Sequence, residues 1–532
     1  MLVVGGGLGG VAAALAAAEA GAEVVLTEEG PWLGGQLTSQ AVPLDEHPWA
    51  ERFGVTARYR RLRDGIRAYY RDHYPLTAAA RARRRLNPGA SFVSALSHEP
   101  RVALAVLDAM LAPHRSAGRV RVRHAHVAEA ALCDGDRVQA VRLRDVATGS
   151  ERVVWPDWVL DATATGELLP LAGAEYVTGF ESRDETGEPH APPEAQPLNM
   201  QPVTACFAMD HLEGEDHTIE RPAGYEAWKA RRSDAFPAGQ LSLLAPDPRT
   251  NALVPRTLTP NPPGDPGLIG PDLGDPELDR ELWLFRRIAA RGNFVDGAYP
   301  SDITLVNWPQ NDYCLGPVFD VAAEEAARHA RGARGLSLCL LHWLQTEAPR
   351  PDGGAGWPGL RLRGDVVGDT ADGLAPALYI RESRRIRGER TVVEQDIAFD
   401  VRGDRGALAY PDAVGIGAYR IDLHPSTGGD PYIDIPCCPF QIPLGALVPV
   451  RIDNLLAAAK NLATTHVTNG AYRLHPVEWN IGEAAGQLAA FCARTGAPPR
   501  AVRAEPARLA AFQAELVGAG VELRWPEAVR AY

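Results

Sequence analysis

The stretch LVVGGGLGGVAAALAAAEAGAEVVLTEE, residues 2–29, decides the fold of this 532-residue chain. Residues 2–4 are consecutive apolar residues that predict a short buried strand, residues 5–10 predict a glycine turn, and residues 11–20 predict an alanine-rich helix. Residues 23–27 predict a second strand. Strand, helix and strand in this order form one complete βαβ unit, which places the chain in the α/β class.

The glycines of the turn have the spacing Gly5-x-Gly7-x-x-Gly10, and Glu28 follows at the end of the second strand. In such a turn the first glycine allows the tight bend, the second lets the backbone approach a pyrophosphate, and the third allows close helix packing. The amide groups at the helix N-terminus attract phosphate, and Glu28 can accept hydrogen bonds from an adenosine ribose. The motif therefore predicts a dinucleotide cofactor.

A second glycine loop, GGQLT at residues 34–38, begins six residues after Glu28. A nicotinamide-dependent dehydrogenase usually continues with alternating strands and helices at this point. A glycine loop here can instead run along the pyrophosphate toward a flavin ring. The order of the two glycine loops therefore favours FAD over NAD.

Composition and charge exclude several other classes of protein. Hydrophobic residues make up 45% of the chain and charged residues 23%, as in ordinary globular proteins. The net charge of −13 disfavours nucleic acid and anionic membranes as partners, so we expect a small-molecule substrate. The seven cysteines include no CxxC pair, which predicts reduced thiols and no metal site. Because we find neither an export signal nor an apolar run of about 18 residues, we expect a cytoplasmic protein.

Four stretches make the chain resemble a known group, the FAD-dependent oxidoreductases of the glutathione-reductase-like fold. They are VVGGGLGGVAAALAAAEAGAEVVLTEE (3–29), LGGQLTSQ (33–40), VLDATATGELLPLAGA (159–174) and NLLAAAKNLATTHVTNGAYRLHPVEWNIGEAAGQLAA (454–490). Within that group the chain is similar to the branch of fumarate reductase flavoproteins and L-aspartate oxidase. WPQND (308–312) and YIRESRRIRGER (379–390) resemble a poorly characterised subgroup of this branch.

The resemblance implies a Rossmann-like FAD-binding domain that is assembled from both ends of the chain. Residues 1–174 would form the first part of this domain and residues 431–500 the second part. Residues 175–430 would form an inserted mixed α+β substrate or cap domain, and residues 501–532 a C-terminal helical extension. The oligomeric state does not follow from the resemblance.

The same resemblance assigns contacts to FAD. The first glycine motif and Glu28 would hold the ADP half, residues 34–38 would lie beside the pyrophosphate and the ring, and the backbone of Val127 would contact adenine. Residues 161–166 match the Ala-Thr-Gly turn of the family, although Ala164 replaces its usual first glycine. The predicted FAD-binding residues are Gly5, Gly7, Gly10, Glu28, Gly34, Gly35, Gln36, Leu37, Thr38, Val127, Asp161, Ala162, Thr163, Gly166, Asn461 and Gly482.

Flavin-dependent oxidation of a C–H bond needs a base for the accompanying proton, and histidine suits that role at neutral pH. His466 is the first candidate because the resemblance brings residues 464–470 to the flavin; the alternative is a structural hydrogen-bonding role. His475 could be the base instead, or a capping or core histidine. Arg473 and Arg381 could clamp a substrate carboxylate, and internal salt bridges are the alternative for both.

These features predict an FAD-dependent oxidoreductase that acts on a small organic substrate by hydride transfer at flavin N5. An external electron acceptor or NAD(P)H would exchange electrons with it. Two alternatives stay open: a flavoprotein with structural or redox-sensing FAD that acts through a protein partner, and a non-redox flavin-dependent lyase or isomerase. A flavin closed to solvent, without a substrate cavity, would be the signature of the protein-partner alternative.

Overall fold

A computed structural model describes residues 1–262, 280–526 and 529 of the chain. In this part of the chain the helices are α1 (Leu8–Glu19), α2 (Ala57–His73), α3 (Ala78–Ala82), α4 (Pro100–Ser116), α5 (Leu168–Leu171), α6 (Arg183–Thr186), α7 (Tyr225–Ala230), α8 (Leu282–Phe285), α9 (Ala323–Thr346), α10 (Gly364–Val367), α11 (Glu394–Ile397), α12 (Phe399–Arg402), α13 (His466–Tyr472), α14 (His475–Thr495), α15 (Pro499–Ala504) and α16 (Pro506–Gly518). Short 3-10 helices lie at Gly35–Leu37, Arg291–Asn293, Pro309–Asn311, Gly403–Arg405 and Leu444–Ala446.

The strands in the same ranges are β1 (Leu2–Val4), β2 (Val24–Glu28), β3 (Val120–His124), β4 (His126–Asp134), β5 (Arg137–Asp145), β6 (Glu151–Val154), β7 (Val159–Asp161), β8 (Tyr176–Val177), β9 (Val203–Thr204), β10 (Phe207–His211), β11 (Leu244–Pro246), β12 (Leu253–Pro255), β13 (Arg287–Ala289), β14 (Ile303–Val306), β15 (Asp312–Tyr313), β16 (Leu360–Leu362), β17 (Tyr379–Ile380), β18 (Arg385–Ile386), β19 (Ala413–Gly417), β20 (Ile421–Leu423), β21 (Ile433–Ile435), β22 (Phe440–Pro443) and β23 (Leu455–Ala457).

A five-stranded sheet with the order β23-β7-β1-β2-β3 forms the centre of the fold, and its strand pairs are parallel. Val159 of β7 pairs with Leu2 of β1 on one side and with Leu455 of β23 on the other. β1 and β23 are buried along their whole length, as expected for parallel strands that are covered on both faces. Residues 2–4 and 455–457, far apart in sequence, therefore belong to one sheet.

Helix α1 follows β1 directly and packs against α14 through residues without bulky side chains. A Cβ atom on Gly482 would lie 1.9 Å from the carbonyl oxygen of Gly9, and one on Gly486 would lie 2.2 Å from that of Ala13. Both helices are buried along most of their length. Glycine at these positions of α14 therefore lets the backbones of the two helices come into direct contact.

The middle of the chain builds a second hydrophobic core. The antiparallel sheet β13-β14-β10-β16 and helix α9 enclose this core, whose largest buried side chains include Trp283 and Trp308. Its residues lie between Phe92 and Ile380, whereas the core around the parallel sheet draws on residues from Leu2 to Val521. The described residues thus pack around two separate apolar centres.

The predicted βαβ unit is present, with small shifts of its boundaries. α1 begins at Leu8 rather than at Val11, because Gly7 already serves as its N-cap. Glu28 is the last residue of β2, as predicted. No helix within the described ranges is long and apolar enough to cross a membrane.

The predicted domain boundaries fall partly outside the described residues. Residues 263–279 of the middle region lie outside them, as do residues 527, 528 and 530–532 of the expected helical extension. Within the described part of that extension lie most of α15 and all of α16, and α16 buries Phe512 and Leu516.

Candidate functional site

The turn between β1 and α1 opens onto a cavity of about 560 Å³, here called the glycine-loop cavity. Its walls come from the carboxyl ends of β1, β2 and β7, from the loop before and within the first 3-10 helix, and from the start of β4. Residues 376–378 and Ile380 complete it, together with Lys460 and Glu478 of the C-terminal part. This position, at the carboxyl ends of parallel strands, is where α/β folds bind their ligands.

The glycines of the turn have different surroundings. Gly5 has a φ of +97°, a conformation that favours glycine, and a Cβ there would lie 2.5 Å from the carbonyl oxygen of Ala162. A Cβ on Gly10 would lie 1.9 Å from the carbonyl oxygen of Gly5. Gly7 lines the cavity, and the nearest atoms to a Cβ placed on it are 3.6 and 3.7 Å away. The fold itself therefore requires Gly5 and Gly10, whereas Gly7 keeps the cavity open.

Glu28 lines the same cavity with a carboxylate that the backbone holds in place. Oε1 accepts a hydrogen bond from the N–H of Gly30 at 2.9 Å, and Oε2 accepts one from the N–H of Gly6 at 3.1 Å. Burial raises the pKa of Glu28 to about 7. The carboxyl group is therefore near its protonation midpoint at neutral pH.

A buried ion pair that the sequence analysis missed lies elsewhere in this cavity. Lys460 is 2% exposed, and its Nζ lies 3.7 Å from Oε2 of Glu478. Oε1 of Glu478 accepts a hydrogen bond from the N–H of Gly9, in the first turn of α1, at 3.3 Å. Gln36 donates from Nε2 to the same carboxylate. The signal in the sequence is the scarcity of lysine, because Lys229 and Lys460 are the only lysines among 54 basic residues.

Two buried acceptors in the wall of the glycine-loop cavity lack a hydrogen-bond partner in the described part of the chain. They are the side-chain carbonyl oxygens of Gln36 and Gln40. A ligand with hydroxyl or N–H groups would satisfy both. Together with the open face at Gly7 and the amide groups at the N-terminus of α1, these acceptors fit a dinucleotide, which offers phosphate and hydroxyl groups together.

The structure brings part of the predicted FAD-binding set to this cavity. The predicted residues that line it are Gly5, Gly7, Glu28, Gly35, Gln36, Val127, Ala162 and Thr163. The predicted residues that do not line it are Gly10, Gly34, Leu37, Thr38, Asp161, Gly166, Asn461 and Gly482.

Several residues of the second group instead hold the surrounding turns. Asp161 accepts a hydrogen bond from the N–H of Thr163 at 3.0 Å, and Asn461 donates to the carbonyl oxygen of Asp161 at 3.0 Å. Thr38 donates from Oγ1 to the carbonyl oxygen of Leu33 at 2.5 Å. These side chains shape the cavity without facing it.

A second cavity, of about 290 Å³, is here called the side cavity. Three of its lining residues carry buried donors without a hydrogen-bond partner among the described residues: Nε of Arg286, Nδ2 of Asn307 and the hydroxyl of Tyr432. Unpaired buried donors are costly, so their concentration in one cavity indicates a small ligand that carries acceptor atoms. The lining residues are Asp45, Glu46, Val93, Pro248, Arg249, Arg256, Leu282, Phe285, Arg286, Asn307, Pro309, Tyr419, Arg420, Asp422, His424, Tyr432 and Asp434.

Arg473 and Tyr379 link the walls of the two cavities. Arg473 donates to the Tyr379 hydroxyl at 2.7 Å and to Oδ2 of Asp422, in the side cavity, at 3.0 Å. Its carbonyl oxygen accepts a hydrogen bond at 3.2 Å from Nε2 of Gln36, which lines the glycine-loop cavity. The neighbours of Tyr379 in sequence, Leu378 and Ile380, also line that cavity. The two cavities are therefore adjacent.

His466, the first candidate base, lines neither cavity. It is 1% exposed, and its Nδ1 lies 2.9 Å from Oε2 of Glu382. Its ring centroid lies 3.8 Å from that of Phe180, and its backbone N–H donates to Glu181 at 2.9 Å. This geometry favours the structural alternative, and a catalytic role for His466 stays a prediction.

The other predicted catalytic residues are also engaged inside the protein. His475 accepts a hydrogen bond at Nδ1 from the N–H of Asp45 at 3.1 Å, and burial, with a smaller effect of Arg286, lowers its pKa to about 3. Arg473 is paired with Asp422, and Nη2 of Arg381 lies 2.9 Å from Oδ1 of Asp312. The geometry thus favours the internal alternative for all three residues.

Comparison with known proteins assigns the chain to a protein family. The sequence pattern of the family described as "FAD dependent oxidoreductase" matches residues 1–516. No curated protein shows significant similarity.

Three of the solved structures with similarity to the chain are described here. THI4 of Thermovibrio ammonificans is 18% identical over 33% of this chain and 63% of its own, with a TM-score of 0.21. A glycerol-3-phosphate dehydrogenase of Bacillus halodurans, complexed with FAD, is 14% identical over 39% of each chain, with a TM-score of 0.24. The p-nitrophenol 4-monooxygenase PnpA of Pseudomonas putida is 14% identical over 73% of this chain and 68% of its own, with a TM-score of 0.29. The chain spans less than two thirds of the first two of these proteins.

Proposed function

The chain belongs to the family of FAD-dependent oxidoreductases, with FAD as its cofactor, and on this premise we propose that it transfers hydride between flavin N5 and a small organic substrate held in the side cavity. The observation that carries the proposal is the cluster of unpartnered donors on Arg286, Asn307 and Tyr432, beside the wall of the glycine-loop cavity. The comparisons support the family and the cofactor, whereas the substrate site is inferred from the geometry.

FAD would be held by residues of the glycine-loop cavity. Gly7 and the N-terminal amides of α1 would take the diphosphate, and Glu28 would accept hydrogen bonds from the ribose. Gln36 and Gln40 would accept hydrogen bonds from the remaining hydroxyl or N–H groups. When bound, FAD would supply hydride-transfer chemistry, which amino-acid side chains do not provide.

The substrate would be small, polar and rich in acceptor atoms. A volume of about 290 Å³ is at the lower end of the range for ligand pockets. Within the lining Arg286 is paired with Asp45 at 3.2 Å and Arg420 with Asp434, and the lining carboxylate of Asp422 is paired with Arg473 behind it at 3.0 Å. Recognition would therefore depend on hydrogen bonds from the three free donors more than on a net charge.

The side cavity also favours the proposed oxidoreductase over a flavoprotein that acts only through a protein partner. A structural or redox-sensing flavoprotein that acts through a protein partner needs no cavity with unpartnered donors next to the flavin. The donors of Arg286 and Asn307 belong to residues of the middle region, far from the glycine motifs in sequence, which supports residues 175–430 as an inserted substrate or cap domain. Electrons would pass to an external acceptor or come from NAD(P)H, and a relation to fumarate reductase flavoproteins and L-aspartate oxidase remains part of the proposal.

Anaerobic reduction of the bound flavin tests the proposed function. FAD-loaded protein is mixed with alcohols, hydroxy acids and amines, and bleaching of the flavin is followed by absorbance. We expect at least one class to bleach the flavin. Tyr432→Phe should slow this reaction while retaining FAD, because it removes one free hydroxyl from the side cavity.

Tyr410→Phe is the matched control, since Tyr410 donates its hydroxyl to Asp396 at 2.8 Å and lines neither cavity. If no compound bleaches a flavin that dithionite reduces normally, or if Tyr432→Phe and Tyr410→Phe behave alike, the side cavity is not the substrate site.

A further inference from the structure

His424 lines the side cavity and is oriented from behind by a buried carboxylate. Its Nδ1 lies 2.6 Å from Oδ2 of Asp312, and its side chain is 18% exposed, whereas that of Asp312 is fully buried. The residue directly follows β20, which packs against α13. One ring nitrogen is therefore fixed by the protein, while the rest of the ring borders the cavity.

Asp312 is itself held in its ionised form. Its Oδ1 accepts a hydrogen bond from Oγ1 of Thr204 at 2.6 Å and lies 2.9 Å from Nη2 of Arg381. Burial alone would raise the pKa of Asp312, but Arg381 and His424 outweigh burial and lower it. Because an ionised carboxylate accepts but cannot donate, a neutral His424 ring must carry its proton on Nδ1 and leave a lone pair on Nε2.

A second carboxylate lies on the other side of the ring. Oδ2 of Asp422 is 3.6 Å from Nε2 of His424, and Arg473 donates to Oδ2 of Asp422 at 3.0 Å. Burial would raise the pKa of Asp422, but His424 and Arg473 outweigh it and keep this group ionised. The His424 ring therefore lies between the carboxylates of Asp312 and Asp422, so a proton taken up at Nε2 would place its positive charge between two negative groups.

We propose that His424 is the proton-transferring catalytic residue of the side cavity and that Asp312 is its positioning residue. The inference rests on the proposed function and names the residue that would move the proton in it. Unlike His466 and His475, His424 borders a cavity that offers unpartnered donors to a ligand. The Tyr432 ring lies 5.2 Å from the His424 ring, so its free hydroxyl is available to a substrate beside the same histidine.

FAD and His424 together account for the hydride and the proton that leave the substrate in the proposed oxidation. Oxidation of an alcohol or amine removes a hydride from carbon and a proton from the adjoining O–H or N–H group, and the carbon gains a double bond to oxygen or nitrogen. FAD is the oxidant that receives the hydride with both electrons. Nε2 of His424 accepts the proton, and in the reverse direction the same nitrogen donates it.

The first test needs no substrate. FAD-loaded protein is treated with diethyl pyrocarbonate, which reacts with an unprotonated imidazole nitrogen, and modification of each histidine is measured by peptide mass spectrometry. We expect His424 to react while the buried His466 and His475 do not. Asp312→Asn should slow the reaction of His424, because an asparagine amide can donate to Nδ1 and shift the ring proton to Nε2.

Glu215→Gln serves as the matched control, because Glu215 contacts a surface histidine in the same way, with Oε2 2.7 Å from Nε2 of His217. This variant should leave the modification rate of His424 unchanged. An unreactive His424 in the wild type, or an equal rate in wild type and Asp312→Asn, would overturn the proposal. Thermal unfolding and FAD content verify that each variant is folded.

The second test uses any compound that bleaches the flavin. His424→Gln should keep its FAD and its unfolding temperature but slow flavin reduction by about 10²–10⁴-fold, the usual contribution of a general base. The same compound should protect His424 from carbethoxylation. Normal reduction in His424→Gln would refute the inference even if the side cavity binds substrate, whereas failure of all compounds with a reactive His424 would refute the proposed function instead.

Discussion

Glu28 and Lys460 are two ionisable residues that line the glycine-loop cavity and contact the protein around it. Glu28 is buried among backbone donors, with its pKa raised to about 7, and Lys460 is 2% exposed beside Glu478. FAD binding should therefore depend on the protonation of Glu28 and on the ion pair of Lys460 with Glu478.

Affinity for FAD should depend on pH through Glu28. Ribose hydroxyl groups donate best to an ionised carboxylate, so we expect the Kd for FAD to rise as the pH falls through about 7, where Glu28 takes up a proton. Fluorescence titration with FAD at several pH values measures this dependence. Glu28→Gln should bind FAD more weakly and with a flatter pH profile.

Glu28 should also make the stability of the FAD-free protein fall as the pH rises. Because the pKa of Glu28 is raised from 4.5 to about 7 on folding, the folded state binds more protons between these values, and stability falls as the pH rises through this window. Glu28→Gln should therefore lose less stability than the wild type between pH 5 and pH 8, as denaturant unfolding would show. An identical pH dependence in the two proteins would contradict the assigned burial of the carboxyl group.

Lys460 should contribute to FAD affinity by neutralising Glu478. In Lys460→Gln the Glu478 carboxylate remains at the first turn of α1, where it repels a diphosphate, so we expect FAD binding to weaken by at least about tenfold, or about 1.4 kcal/mol. Equilibrium dialysis measures the change, and Lys460→Arg should lose less affinity.

The double variant Lys460→Gln/Glu478→Gln should recover part of that loss, because both buried charges are then absent. If the double variant binds FAD as weakly as the sum of the two single changes, the residues act independently and the explanation through their ion pair fails.

At the scale of elements, the glycines of the β1–α1 turn and of α14 divide into two functions. Gly7→Val should abolish FAD binding without unfolding the protein, because the side chain would enter the glycine-loop cavity and the nearest atoms to its Cβ are 3.6 and 3.7 Å away. Gly482→Val should unfold the protein, since its Cβ would lie 1.9 Å from the carbonyl oxygen of Gly9.

Circular dichroism and FAD content after purification distinguish the two results. A folded Gly482→Val protein with bound FAD, or an unfolded Gly7→Val protein, would show that the close contact between α1 and α14 is not what these glycines provide.

The elements themselves were predictable to different degrees. β1, α1 and β2 follow from local chemistry, because glycine spacing and apolar runs act within a few residues. Leu37 and Thr38 were predicted to contact FAD together with Gly35 and Gln36, and of these four residues only Gly35 and Gln36 line the glycine-loop cavity. Sequence proximity to a binding loop does not determine which face of a turn a residue occupies.

At the scale of the whole molecule, the sheet depends on residues from both ends of the sequence. A chain that ends after Asp453 lacks β23 and α14, so β7 would lose one of its two neighbouring strands and α1 would lose its packing partner. We expect this truncation to be insoluble or free of FAD, whereas truncation after Pro526 should retain FAD. Expression, solubility and FAD content provide the measurement, and a soluble, yellow protein that ends at Asp453 would contradict this architecture.

The side cavity shows why its residues could not be predicted. His424 meets Asp312, and Arg286 meets Asp45, across more than a hundred residues of sequence, and neither pair leaves a local pattern. The family resemblance identified the cofactor but gave no position for unpartnered donors such as that of Asn307. Such contacts depend on how the middle region packs, which spacing along the chain does not encode.

The two lysines also make the protein unusually suited to chemical labelling. Lys229 lies on the surface, with 43% of its side chain exposed, whereas Lys460 is enclosed in the glycine-loop cavity. An amine-reactive dye would therefore modify the side chain of Lys229 and spare that of Lys460 for as long as the cavity stays closed. Once the α-amino group of Met1 is blocked, attachment through Lys229 would immobilise the molecules in one orientation on a sensor surface. Slow acylation of Lys460 would then measure how often the cavity opens for cofactor exchange.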